Sequence, residues 1–283
     1  ISLYNITGDT ADLYHVLYEG DDCNDLSQIY CSDANESIAS GLTIGQTYNI
    51  RVYSFTANEL QNSTFDICIF TVPPAITTDT ETYTVDQIVT DILINSECSQ
   101  AFNITYSTGS NFDSTNGIGY FEANGSSWPF ESGLIMTSGN VISAVGPETG
   151  NLSDGTDDWP GDADLESFVP GLNNGDTYNA SIVEFDFVPI TERMSFDFIF
   201  AAEEYGTYQC TYTDAFAFLL TDSQGVTTNL AIVPGTEDPI SVLTVRDGQF
   251  NANCESVNEE FFGNYYGGGG LPTLTSPINF IGH

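Results

Sequence analysis

A chain of 283 residues that sets 40 acidic side chains against three arginines and no lysine, for a formal net charge of −37, is repelled by nucleic acid and by anionic membranes, so neither is an expected partner. Its two histidines, His15 and His283, lie far apart and no CxxC pair occurs, which leaves a zinc site almost no ligands. Abundant Gly, Thr, Ser, Asn and aromatic residues, with few helical patterns, predict an all-β protein of two β-sandwich, jelly-roll-like domains, the second larger and opened by one short amphipathic helix.

Six cysteines in such a chain predict an oxidising compartment and disulfides, hence an extracellular or cell-surface location. Neither an export signal nor an apolar run of membrane-spanning length is visible, so direct membrane insertion is not expected. The chain opens at Ile1 rather than Met, and Asn279-Phe280-Ile281 reads like the start of a strand; both are read as a window cut from a longer secreted protein. Clustered carboxylates are hard oxygen ligands, which makes calcium the expected cofactor; acids also simply keep an exported protein soluble.

Residues 1–72 read as a partial small β-sandwich. Asp12 to Glu19, Gln28 to Cys31, Thr47 to Phe55 and Phe65 to Val72 are its predicted strands, the third alternating Tyr48, Ile50, Val52 and Ser54 against Asn49, Arg51, Tyr53 and Phe55. Cys23 and Cys31 share one loop-plus-strand segment and are candidates for a bridge. The runs LYEGDDCNDLSQIYCSD, GLTIGQTYNIRVYSF and STFDICIF resemble the second half of a pre-peptidase C-terminal-type β-sandwich, with fibronectin type III as runner-up; the resemblance implies first strands ahead of Ile1.

Residues 73–82, opening on Pro73-Pro74, predict a stiff polar linker, and 83–283 the larger domain. Cys68 and Cys98 flank the linker and pair either with each other or with cysteines outside the chain. Val85, Ile88, Val89, Ile92 and Leu93 recur at helical spacing, with Thr84 as the cap, so a helix is predicted over Val85 to Ile94. Strands follow at Phe102 to Tyr106, Gly133 to Thr137 and Ile182 to Val188, and later at Asn229 to Val233 and Ile240 to Val245. Gly267 to Gly270 reads as a flexible loop tip, and no internal repeat is evident. Between Met194 and Leu220, two alternating apolar runs, Phe196-Phe198-Phe200 and Phe216-Phe218-Leu220, flank a loop from Ala201 to Thr213; they predict a core hairpin.

Two groups of acids are candidates for chemistry. Asp154, Asp157, Asp158, Asp162, Asp164 and Glu166 crowd the loop Leu152 to Glu166, and an extended Asp162-Ala-Asp164-Leu-Glu166 puts three carboxylates on one side, as a calcium site needs; the spacing is not that of an EF-hand. Glu203, Glu204 and Asp214 flank the predicted hairpin loop. They are read as a calcium or sugar-hydroxyl site, as a glycosidase acid/base pair, or as caps on backbone amides. DAFAFLL is similar to the Asp-Gly-Phe-Ala-Phe run of L-type lectins, with Ala215 where that run has Gly. Trp128 and Trp159, with Tyr205, Tyr208, Tyr265 and Tyr266, are loop aromatics that either stack on sugars or pack on the rim of the sandwich. Cys210 and Cys254 are a plausible staple for the hairpin loop. Seven Asn-x-Ser/Thr sequons begin at Asn5, Asn35, Asn62, Asn103, Asn124, Asn151 and Asn179, and composition alone accounts for them. No Ser/His/Asp constellation, P-loop or dinucleotide fingerprint is present.

The stretches ILINSECSQAFNITYSTGSNFDSTNGIGYFEANGSSWPFESGLIMTSGNV, LSDGTDDWPGDADLE, SIVEFDFVPITERMSFDFIFAAEEYGTYQCTYTDAFAFLLTD and NLAIVPGTEDPISVLTVRDGQFN resemble, in order, the choice-of-anchor L domains of Bacteroidetes surface proteins. The resemblance implies a large exported protein carrying a C-terminal sorting signal. It implies the type IX secretion machinery and cell-surface components as partners, a structural or adhesive role, and no established enzymatic activity. It also brings in an O-glycosylation pattern of exported Bacteroidetes proteins, matched by Asp9-Thr10-Ala11 and Asp113-Ser114-Thr115, with Thr10 and Ser114 as acceptors. Three readings result: a structural or adhesive surface module, a calcium-dependent glycan-binding lectin, and a glycoside hydrolase.

Overall fold

The computed structural model describes all residues except 38, 40, 41, 44, 55–61, 71–75, 95–99, 125–127, 146–151, 170, 174, 190–195, 264–277 and 283. The chain is mostly β-strand with few helices, as its composition predicts. It falls into two compact units, one from Ile1 to Pro73 and one made of nearly all the rest.

In the first unit, β1 (Ser2–Gly8) pairs antiparallel with β5 (Ser63–Cys68), while β2 (Leu13–Glu19) lies between β3 (Ser27–Ser32) and β4 (Tyr48–Ser54). As the central strand, β2 carries most of this unit's core: Leu13, Val16 and Leu17 are buried, and so is His15. The predicted Cys23–Cys31 bridge does not form, and both cysteines are exposed and unpaired. The register is the reason. Ser27 pairs with Glu19 and Cys31 with Val16, so Cys31 lies four residues down the strand, about 13 Å, from the end beyond which Cys23 sits in a turn. A disulfide needs its Cα atoms within about 7 Å. Cys68 is also unpaired, and Cys98 lies outside the described residues.

In the second unit β6 (Thr77–Asp79) pairs with β8 (Ile118–Glu122), which pairs in turn with β9 (Ser132–Met136). β7 (Gln100–Ser107) pairs with β10 (Ile182–Val188). The predicted helix is present and capped as expected: Thr84 Oγ1 accepts from the Gln87 N–H, and the Gln87 side chain accepts from the Thr84 N–H. Only α1 (Val85–Gln87) is α-helical; Ile88–Ile94 continues as a π-helix. The wider i→i+5 turn keeps Ile88 and Val89 buried but leaves Leu93, placed on the apolar face by a 3.6-residue period, exposed.

The predicted core hairpin is replaced by a different pairing. β11 (Phe198–Ala201) and β12 (Ala215–Phe216) are not partners. β13 (Leu219–Thr221) pairs with β14 (Thr227–Asn229), β12 with β15 (Ile240–Ser241), and β11 with β16 (Ile278–Gly282). What survives is the side-chain pattern. Phe200 belongs to a core of Ala202, Tyr205, Ala231, Val233, Ile240, Val242 and Val245, against which Phe198, Phe216 and Phe218 pack. Ile199, on the other face of β11, packs on a second cluster around Ile76 and Phe121. The Phe196 and Phe218 rings meet edge to face at 4.1 Å, and those of Phe198 and Phe216 lie 5.3 Å apart, so the two runs touch through aromatic rings instead of a ladder.

One local device occurs twice, although no repeat is evident in the sequence. Asn5 in β1 (φ 51°) and Asn103 in β7 (φ 52°) adopt the left-handed conformation at a break in strand register. Each donates its Nδ2–H across the sheet at 2.7 Å, Asn5 to Asp66 Oδ2 and Asn103 to Asp186 Oδ2. The segments correspond: the break falls between the pairs Tyr4–Asp66 and Thr7–Thr64 in one sheet and between Phe102–Asp186 and Thr105–Glu184 in the other, with Asn-Ile-Thr on the bulged strand and Phe-Asp on its partner each time. Bulged strands place one residue off the ladder, and Asn tolerates left-handed φ better than other side chains. Four sequon asparagines, Asn5, Asn103, Asn124 and Asn179, have positive φ, so a backbone requirement accounts for them better than composition does. Asn103→Ala is expected to cost about 1 kcal/mol more stability than Asn103→Gly, because both lose the bond to Asp186 but only alanine meets the left-handed strain. Urea unfolding measures the difference, and equal costs would remove the backbone role.

Candidate functional site

The loop after β11 turns instead of running extended. Glu204 begins a helical turn, its carbonyl accepting from the Tyr208 N–H at 2.9 Å, and this lets the adjacent Glu203 and Glu204 both approach Asp214. The loop is pinned along its length to the segment after β15. Tyr205 Oη donates to Val245 O at 2.8 Å. Gln209, fully buried, donates from Nε2 to Asp247 O and accepts at Oε1 from the Gly206 N–H. Asn251 Nδ2 donates to Gly206 O. Cys210 and Cys254 form the predicted disulfide, with Cα atoms 5.5 Å apart across 44 residues.

The carboxyls here lie inside this frame. Oε2 of both Glu203 and Glu204 is shielded from solvent. Asp214 is half-buried. Burial, then the Glu204 carboxyl, then the Glu203 charge push Asp214 well above the usual carboxylate range. Burial, followed by the Asp214 and Glu204 charges, also raises the Tyr205 phenol.

The acids of Leu152 to Glu166 are dispersed. The stretch predicted as extended is helical: Asp162 caps α2 (Ala163–Phe168) by accepting from the Leu165 N–H at 2.7 Å. Glu166 is buried. Its Oε1 accepts from the Thr177 N–H and hydroxyl and its Oε2 from the Gly175 N–H. Those bonds, Thr177's first, hold its pKa below the ordinary value. Asp154 accepts from the Ser143 hydroxyl, while Asp157, Asp158 and Asp164 are exposed. Among the described residues no three His, Cys, Asp or Glu side chains gather as a metal ion requires.

Trp159 is not a sugar platform but a fully buried core residue whose Nε1 donates to Ala180 O at 2.8 Å. Its ring fills a slot open only because residues 109 and 117 are glycine: a Cβ on Gly109 would lie 2.5 Å from the indole, and one on Gly117 at 3.0 Å. Trp128 is half-buried and packs on the cluster of Ile76 and Phe121. Tyr208 and Tyr212 instead present their rings, 42% and 62% exposed and 6.0 Å apart, on either side of Cys210. Tyr265 and Tyr266 lie outside the described residues. Ser114 Oγ is shielded from solvent, and Thr10 Oγ1 accepts from the Asp12 N–H.

A contact not anticipated from sequence joins His15 Nε2 to Ser37 Oγ in the first unit. Among the described residues it does not form a triad: the ring is fully buried, burial lowers its pKa, and Nδ1, where an orienting carboxylate would sit, meets no described partner. A shallow depression of about 310 Å³ beside β14, lined in part by Phe168, Ile232, Glu237 and Pro239, contains none of the predicted site residues. Among the described residues no helix is long and apolar enough to cross a membrane.

These features define a disulfide-stapled, acid-rich β module. The profile of the choice-of-anchor L domain matches residues 76–283, and the chain belongs to that family. It is a family of surface-anchored modules of secreted proteins and is not a known enzyme family. No curated protein matches the chain, and no solved structure does. Reducing the Cys210–Cys254 bridge, or replacing both cysteines by serine, is expected to lower stability by about 2–4 kcal/mol. Urea unfolding with and without reductant measures this, and an unchanged midpoint would show that the pinning hydrogen bonds suffice alone.

Proposed function

We propose that the chain is a structural and adhesive module of a large cell-surface protein exported by the type IX system, with that machinery and neighbouring surface components as its partners. The observation that carries this reading is the family match over 76–283. The stapled loop supports it: a rigid, oxidised, acid-rich surface suits a protein that works outside the cell. A tagged full-length gene, expressed in a Bacteroidetes host with and without an intact type IX system, tests the address. Surface labelling of intact cells is expected in the first strain and not in the second; labelling in both would refute the export route.

Calcium-dependent glycan binding is the second reading, and Tyr208 and Tyr212 favour it. Their exposed rings stand on a braced loop, as faces for sugar stacking would. Asp157, Asp158 and Asp164 are exposed but do not gather as a ready-made site, so a calcium ion would have to draw them together. On a glycan array, binding is expected to fall at least tenfold with Tyr208→Ala/Tyr212→Ala and to be lost with chelator. An array without signal for the wild-type protein counts against the lectin but leaves the structural module standing.

A further inference from the structure

We infer that His15 is a pH-sensitive joint in the first unit: neutral, it ties the unit's two sheets together through the segment Asn35 to Ser37, and in mild acid its protonation releases that segment. Asn35 to Ser37 is laced to β1 by backbone bonds. Leu3 N–H donates to Asn35 O at 2.8 Å, Ser37 N–H to Ile1 O at 2.9 Å, and the Ile1 nitrogen to Ser37 O at 2.8 Å. The same segment reaches β2, the central strand of the other sheet, through the contact of Ser37 Oγ with His15 Nε2. A neutral imidazole has one N–H and one bare nitrogen, and the Ser37 hydroxyl can serve Nε2 in either role. An imidazolium has two N–H donors. Nδ1 is closed off from solvent and meets no described acceptor, so the second proton creates an unpaired donor on a charge held inside the core.

Among the described residues no carboxylate charge reaches the ring to offset its own. His15 lies between Ser32 of β3 and Val52 of β4, and its ring neighbour on β3 is Tyr30, with centroids 6.4 Å apart. The charge that does reach it is the Ile1 ammonium, also positive. Glu36, beside Ser37, accepts from the Ser2 hydroxyl at 3.2 Å. Asp12 and Asp33 act on Tyr14, which alternation puts on the opposite face of β2. In the unfolded chain His15 titrates near 6.5. In the folded chain burial first, and the Ile1 charge next, hold it lower. As pH falls from about 6.5 to the folded pKa, the unfolded state binds more protons than the native one, so the closed unit loses stability; above about pH 6.5 the contribution is fully present. The easing repulsion among the acids of a −37 chain acts in the opposite direction.

The test is NMR of the whole oxidised chain between about pH 5 and 8. It reads the His15 ring signals, assigned by comparison with His15→Gln, and the hydrogen-exchange protection of the Leu3 and Ser37 amides, which report the joint directly. The ring is expected to titrate below the ordinary histidine range for as long as the first unit is folded. Protection of both amides is expected to fall severalfold, up to about tenfold, from pH 7.5 to pH 5.5. In His15→Gln, neutral throughout, that fall is expected to be absent. Where this variant folds poorly, the wild-type ring decides alone: titration at or above about 6.5 with Leu3 and Ser37 still protected overturns the inference. An equal fall in His15→Gln also overturns it, since the acid response would then belong to other groups, as does wild-type protection that stays constant over the range.

Discussion

The second unit depends on the attachment of one loop to one distant segment. The stretch between β11 and β12 leaves the core at Ala202 and must return at Asp214 with enclosed acids. It is held throughout by Tyr205 on Val245, Gln209 on Asp247, Asn251 on Gly206 and the Cys210–Cys254 bond. Each hydrogen bond alone contributes about 1 kcal/mol, but together they convert a long excursion into a fixed wall. Glu203, Glu204 and Asp214 are half-buried beside this frame, and Oε2 of each glutamate is shielded from solvent.

That arrangement separates two uses of acidity in one chain. Most of the 40 acidic residues bear on solubility and repulsion. A few serve as local hydrogen-bond acceptors: Asp162 caps a helix, Glu166 gathers three donors, and Asp66 and Asp186 each clip a bulged asparagine. At Asp214, burial and the charges of Glu204 and Glu203 add a third effect, raising its pKa well above the usual carboxylate range.

Much of the fold was legible in side-chain alternation. Phe198, Ile199 and Phe200 divide between two clusters as period-two spacing requires, and Thr84 caps where its position says it should. Strand partners were not legible. Alternation fixes which face is buried, not which strand lies alongside, and β12 chose β15 over its neighbour in sequence. The helix of Ala163–Phe168 had a signal, since Asp162 precedes Leu165, Phe168 and Val169 at i, i+3, i+4 spacing, but the density of acids drew attention to metal chemistry instead. Trp159 packs, one of the two readings its sequence left open, but its depth was not legible: the slot depends on Gly109 and Gly117, about 40–50 residues away in the chain, and glycine in a loop announces a turn before it announces a cavity.

The twin asparagine clips have a practical side. Asn103 is at once the left-handed hinge of its strand, the donor to Asp186, and the acceptor position of an Asn-Ile-Thr sequon. A eukaryotic secretory host modifies nascent chains before sheets close, and it would place a sugar on the nitrogen this sheet uses to fasten its two strands. Production in a host without that oligosaccharide transfer keeps both clips intact, and the choice of host thereby becomes a structural variable.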